Sequence, residues 1–76
     1  MRELVEFLAR ELVDDPDSVS VTESMDQRGT LLTLRVAPDD MGKVIGRGGR
    51  TAKAIRSVVR AAATRQGASA HVDIAD

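Results

Sequence analysis

No cysteine occurs among these 76 residues, so disulfides and thiolate metal sites are excluded, and a reducing compartment is compatible with the chain. Tryptophan and tyrosine are also absent, and Phe7 is the only aromatic residue. A platform that stacks successive bases on aromatic rings is therefore excluded. His71 is the only histidine and has no partner motif around it, which reads as a surface strand residue rather than a catalytic one. No apolar run approaches the ~20 residues that span a bilayer, and "MRELVEFLARELVDD" is too charged for a signal peptide.

What is present is aliphatic and charged. Nine Val, six Leu, three Ile, ten Ala and three Met must supply the core, with Phe7 expected to pack under the first helix. The chain suits one small domain, and a domain of this size buries only about 60% of its unfolded surface, so its margin of stability is thin. Net charge is −1, but the sign is unevenly distributed. Between Met41 and Arg65 lie seven basic residues (Lys43, Arg47, Arg50, Lys53, Arg56, Arg60 and Arg65) and no acidic one. All 12 acidic residues fall outside that segment, so the net value averages two opposite surfaces.

Hydrophobic spacing predicts the elements. Leu4, Val5, Leu8 and Leu12 recur at helical period over Arg2 to Val13, and Asp14-Asp15-Pro16 stops that helix. "SVSVTES" alternates with Val19 and Val21 on one side, and Thr30 to Ala37 alternates with Leu32, Leu34 and Val36 inward. The Asp26–Gly29 turn between them implies an antiparallel hairpin. After Pro38, Asp39 or Asp40 is expected to cap a short helix over Met41 to Ile45. A longer helix follows from about Arg50 to Arg65, ended by Gly67, and "ASAHVDI" forms a last strand with Ala70, Val72 and Ile74 inward. The hairpin and the two-helix crossover give an α+β fold: a three-stranded mixed sheet with the helices on one face.

Four of the six glycines fall within "MGKVIGRGGRTAKAIRSVVR", three of them in Gly46-Arg47-Gly48-Gly49 at the start of the long helix. A helix N-terminus offers unpaired N–H groups and partial positive charge to a phosphate, and glycine lets a sugar-phosphate chain approach the backbone. Arg47 adds an exposed guanidinium. On the long helix, Ile55, Val58, Val59 and Ala62 share one sector, while Lys53, Arg56 and Arg60 lie nearly opposite with Arg50 at their edge. The competing reading is a tight turn with no ligand, beside an ordinary solvated face. A dinucleotide fingerprint fails because Thr51 holds the last glycine position, and a P-loop fails because Val44 follows Gly42-Lys43. The Asp14-Asp15 and Asp39-Asp40 pairs serve as helix stop and cap, and no catalytic set is visible.

These residues resemble the signature of the KH domain, in which an Ile-Gly-x-x-Gly turn joins two helices. The matching positions are Val44, Ile45, Gly46, Arg47, Gly48, Gly49 and Ile55. The order helix, strand, strand, helix, helix, strand is similar to the bacterial, type II version, and the stretch "PDDMGKVIGRGGRTAKAIR" resembles the KhpA family of small bacterial RNA-binding proteins. That resemblance implies one type II KH domain over residues 1–76, with no cofactor. It implies single-stranded RNA held about four nucleotides at a time, at Lys43, Gly46, Arg47, Gly48, Gly49, Arg50 and Lys53. It further implies a cytoplasmic, chaperone-like protein that pairs with itself and with a second KH protein of the KhpB type, linked to cell-envelope synthesis and cell-length control. The glycine at position 48, where the family more often has a bulkier polar residue, implies a more mobile loop and a weaker grip. A KH-fold protein-interaction module and a single-stranded DNA binder remain as alternatives.

Overall fold

The computed structural model describes residues 1–75, so the last residue of the expected domain, Asp76, lies outside the described residues. Helix α1 runs over Arg2–Leu12, with Val5 and Ala9, four residues apart, facing the core. It stops where Val13 turns extended, its N–H donating to the Ala9 carbonyl at 3.2 Å. Proline then sets a 3-10 turn over Pro16–Ser18, which delays the first strand to Ser20 although Val19 is already buried.

Strands β1 (Ser20–Asp26) and β2 (Gly29–Arg35) pair antiparallel from Ser20↔Arg35 to Asp26↔Gly29, leaving a two-residue loop of Gln27 and Arg28. The Arg28 N–H donates to Asp26 Oδ1 at 2.8 Å and pins that loop. Strand β3 (Ala70–Ile74) pairs parallel with β2, from Thr30↔Ala70 to Leu34↔Ile74. The sheet order is β1-β2-β3, so β2 is central and the mixed sheet stands as expected.

Two helices lie between β2 and β3 in the chain: α2 (Met41–Ile45) and α3 (Arg50–Arg65). Helix α3 packs along β3, and α1 crosses β1 and β2. Leu32, Leu34, Val44 and Val59 are fully buried between these layers, and burying each such side chain is worth about 1.5–3 kcal/mol. The end of α3 is closed by a paired bond set: Gly67 N–H to the Thr64 carbonyl at 3.0 Å and Ala68 N–H to the Ala63 carbonyl at 2.9 Å.

Two packing expectations are corrected. The buried line of α3 is Ala52, Ile55, Val59 and Ala63, whereas Val58 is 45% exposed and Ala62 only half-buried. The sheet meets the helix about 50° around from the sector that apolar residues alone suggest, at about 100° per residue, so that the line facing it includes Ala52 and Ala63. Phe7 does not pack under α1; it is 60% exposed, on the side of α1 that neither β1 nor β2 covers.

Candidate nucleic-acid interface

Helix α2 is closed by the Gly46 N–H, which donates to the Gly42 carbonyl at 2.8 Å. Gly46 itself sits at φ 77° and ψ 170°. A Cβ there would lie 2.7 Å from Thr51 Cβ and 2.8 Å from Thr51 N, so both the backbone angle and the space demand glycine. A 3-10 turn over Arg47–Gly49 follows, with the Gly49 N–H donating to the Gly46 carbonyl at 3.1 Å. Within it Gly48 has φ 64°, and no atom would lie within 4 Å of a Cβ added there. Its glycine therefore answers a left-handed backbone angle and not a lack of room, and the bare backbone faces open space.

The start of α3 is left unneutralised. Its N-cap, Gly49, supplies no side-chain cap, and the first turn contains no acidic residue. The Arg50 N–H donates back to the Arg47 carbonyl, but no carboxylate in the first turn offsets the positive end of the helix dipole. Arg47, Arg50 and Lys53 are all exposed around this end. Four of the residues expected at the site are the loop itself, and Arg50 and Lys53 follow it directly on α3.

Two basic side chains behave differently from a plain solvated stripe. Arg56 turns back toward the sheet, its Nε donating to the Val72 carbonyl at 3.2 Å. Lys43, expected among the site residues, is held by two carboxylates: Asp14 Oδ2 at 3.2 Å and Asp40 Oδ1 at 3.5 Å. Asp40 is not a helix cap, since its side chain makes no capping bond to α2. It is 3% exposed and accepts the Asp15 N–H on Oδ2 at 3.0 Å. Burial pushes the Asp40 carboxyl up, but the N–H groups of Asp15 and Asp14, together with Lys43, outweigh this and hold it below its ordinary 3.8. The hydrogen bond and charge of Asp14, reinforced by Asp40, raise Lys43 above its ordinary 10.5.

His71 also has a partner that sequence reasoning missed. Its Nε2 lies 3.0 Å from Asp26 Oδ2 at the hairpin end, a pairing made by sheet register across 45 residues. The Asp26 carboxyl is lowered, mostly by the Arg28 N–H and further by His71. Among the described residues, no group of three His, Cys, Asp or Glu is placed to hold a metal. Helices α1 and α3 leave between them an open, mostly apolar groove of about 300 Å³, lined by Phe7, Leu8, Leu12, Thr51, Ala54 and Val58, whose Thr51 end adjoins Gly46. No described helix is long and apolar enough to cross a membrane.

A three-stranded mixed sheet under one layer of helices, with a glycine turn joining the second and third, is the type II KH architecture. The chain belongs to the KhpA/KhpB KH-domain family, whose model matches residues 2–74. It is 57% identical to the RNA-binding protein KhpA of Halalkalibacterium halodurans over 76 residues, covering all of both chains. It is 51% identical to that of Clostridium perfringens over 74 residues, covering 97% of this chain and 99% of the relative. Against that of Streptomyces coelicolor the identity is 47%, over all of this chain and 92% of the relative. Among solved structures, Aquifex aeolicus Era (the Y63A variant bound to GDP·AlF4−) shares the fold with a TM-score of 0.70 at 19% identity, over 96% of this chain and 28% of that one.

Proposed function

We propose that this protein binds single-stranded RNA, gripping its sugar-phosphate backbone with the Gly46–Gly49 loop and the start of α3. The observation that carries the reading is the acid-free N-terminus of α3, which has no side-chain cap, is entered through bare glycine backbone and is ringed by Arg47, Arg50 and Lys53. Phosphate fits such an end through backbone N–H groups and dipole together. Relatives of nearly equal length that bear the name RNA-binding protein support RNA as the ligand. With Phe7 the only aromatic residue, bases are met mainly by aliphatic contact, and discrimination between sequences is modest.

A module that holds about four nucleotides without stacking binds weakly alone, and joining two modules raises avidity through effective concentration. The working form is therefore a homodimer, or a heterodimer with a second KH protein of the KhpB type. The exposed apolar side chains Phe7, Leu12 and Val58 supply a surface for such pairing. Chaperone-like action on RNA in the cytoplasm, in support of cell-envelope synthesis and cell-length control, completes the reading and follows the family resemblance. The same apolar groove would serve a pure protein-interaction module.

A salt titration tests the central reading. With three or four phosphates met, log K for a short single-stranded RNA falls against log salt with a slope of roughly −2 to −3, at about −0.7 per contact. A flat response would remove the electrostatic grip and leave the interaction module.

A further inference from the structure

Helix α2 has five residues, too few to hold its own conformation or direction in water. Its orientation must come from what it touches, and the Gly46–Gly49 loop leaves directly from its end. Two anchors are visible. Val44 is fully buried and fixes the apolar side of α2. On the other side Lys43 reaches Asp14 at 3.2 Å and Asp40 at 3.5 Å, while Asp40 takes the Asp15 N–H at 3.0 Å. This clasp ties the segment after α1 to the first turn of α2, across 25 residues between Asp15 and Asp40.

The Lys43–Asp14 half is a surface ion pair, but the Asp40 half is not. Among the described residues Asp40 is the single charged one that is buried, and no buried side-chain polar atom lacks a partner. A carboxylate out of water holds its place only when its hydrogen bonds and counter-charge are fixed in geometry. Lys43 satisfies that condition and is in turn committed by it, with its ammonium between two carboxylates.

We propose that the Asp14–Lys43–Asp40 clasp is a positioning device for the glycine loop, so that Lys43 serves RNA binding by fixing α2 and not by meeting a phosphate. The inference rests on the RNA-binding reading and refines it: the phosphate contacts belong to the loop, Arg47, Arg50 and Lys53, and Lys43 stands behind them. A lysine that met phosphate would have to leave both carboxylates, exposing a buried anion close to the incoming polyanion.

The sign of a charge change separates the two roles. Removing the negative charge of Asp40 leaves Lys43 with Asp14 alone and lowers local repulsion, so a phosphate-binding Lys43 would grip RNA more tightly in Asp40→Asn. A positioning Lys43 makes the same variant bind more weakly. The experiment measures anisotropy of a fluorescent eight-nucleotide single-stranded RNA across a potassium chloride series. It uses the wild-type chain, Lys43→Met and Asp40→Asn, at a temperature where circular dichroism finds each folded. The wild-type titration alone tests whether RNA is bound electrostatically, so failure of that reading is seen before any variant is compared.

The expected result is a loss of affinity of about three- to ten-fold in Lys43→Met, with the salt slope unchanged, and a loss in Asp40→Asn as well. A slope shallower by about 0.7 in Lys43→Met marks a lost phosphate contact and overturns the inference. Unchanged affinity in Lys43→Met also overturns it, as does tighter binding by Asp40→Asn. Should Asp40→Asn fail to fold, Lys43→Met decides alone, because its side chain is 43% exposed and its replacement keeps the stem.

Discussion

At the scale of single residues, three glycines in four positions carry two different burdens. Gly46 faces both a left-handed angle and Thr51, whereas Gly48 has only the angle to satisfy. Gly46→Ala should therefore cost more than the roughly 1–2 kcal/mol of a left-handed alanine, since Thr51 and the start of α3 must move as well. Gly48→Ala should cost only that roughly 1–2 kcal/mol, and in a domain of this size each kcal/mol lowers the thermal midpoint by roughly 4–8 °C. Thermal denaturation of the two variants side by side checks the ranking, and equal midpoints would contradict the steric account of Gly46.

Acid stability is also a residue-scale matter. Asp40 and Asp26 both hold their carboxyls below the ordinary 3.8, so the folded state takes up these protons less readily than the unfolded chain. Their contribution is fully present above the unfolded value and is lost as pH falls from there through the lower folded values. Lys43, raised above 10.5, contributes fully below that value and loses its share only as pH rises beyond it. The midpoint should accordingly stay level between about pH 5 and 9 with respect to these three groups and drop below about pH 4. In Asp40→Asn that acid drop should shrink; an undiminished drop would assign it elsewhere.

Among the secondary-structure elements, the strands are legible in the sequence because alternation has one solution: Val19, Val21, Leu32, Leu34 and Val72 can face only one way, and all are buried. Helix α3 is legible in extent but not in rotation. Its apolar positions span more of the circumference than one sheet can cover, and nothing in spacing says which part the strand will meet. So Val58, which spacing assigns to the core, is exposed, and the buried line runs through alanines. Spacing misplaces Phe7 for the same reason. The clasp is invisible in the sequence because it joins Asp14 to Lys43, and long-range pairing leaves no local periodicity. The loop residues Gly46–Gly49 can be found because glycine, unlike lysine, is costly where its conformation is unused.

The misplaced apolar surface leads to an element-scale prediction. Val58 lies outside the buried line of α3, so Val58→Glu should change monomer stability by no more than about 1 kcal/mol. If α1 and α3 pair through this face, sedimentation should shift from dimer toward monomer, with each single loop still able to bind RNA weakly. A variant that stays dimeric would place pairing on another surface.

Across the whole molecule, the acid-free segment from Met41 to Arg65 folds into one region, while the acidic residues lie on the remaining elements. A polyanion therefore meets a basic edge on a protein whose net charge is −1, and local field decides the encounter. The apolar α1–α3 face meets the glycine loop at Thr51 and runs away from it along α3 to Val58, so under the proposed reading pairing at the Val58 end would leave the loop open to RNA.

The most direct test of the RNA grip replaces Arg47-Gly48 with Asp-Asp and measures affinity for a short single-stranded RNA beside the thermal midpoint. Both positions are exposed, so no core contact is lost, and aspartate is suited to a helix start. The aspartate replacing Gly48 must adopt that glycine's left-handed angle, at a cost of about 1–2 kcal/mol, and the Gly48→Ala midpoint provides the measure of that strain. Two carboxylates would then stand where phosphates must approach. The account predicts a folded variant with a modestly lowered midpoint and RNA binding lost. A folded Asp-Asp variant that binds RNA at full strength would contradict it, and would leave the glycines with no role beyond the turn.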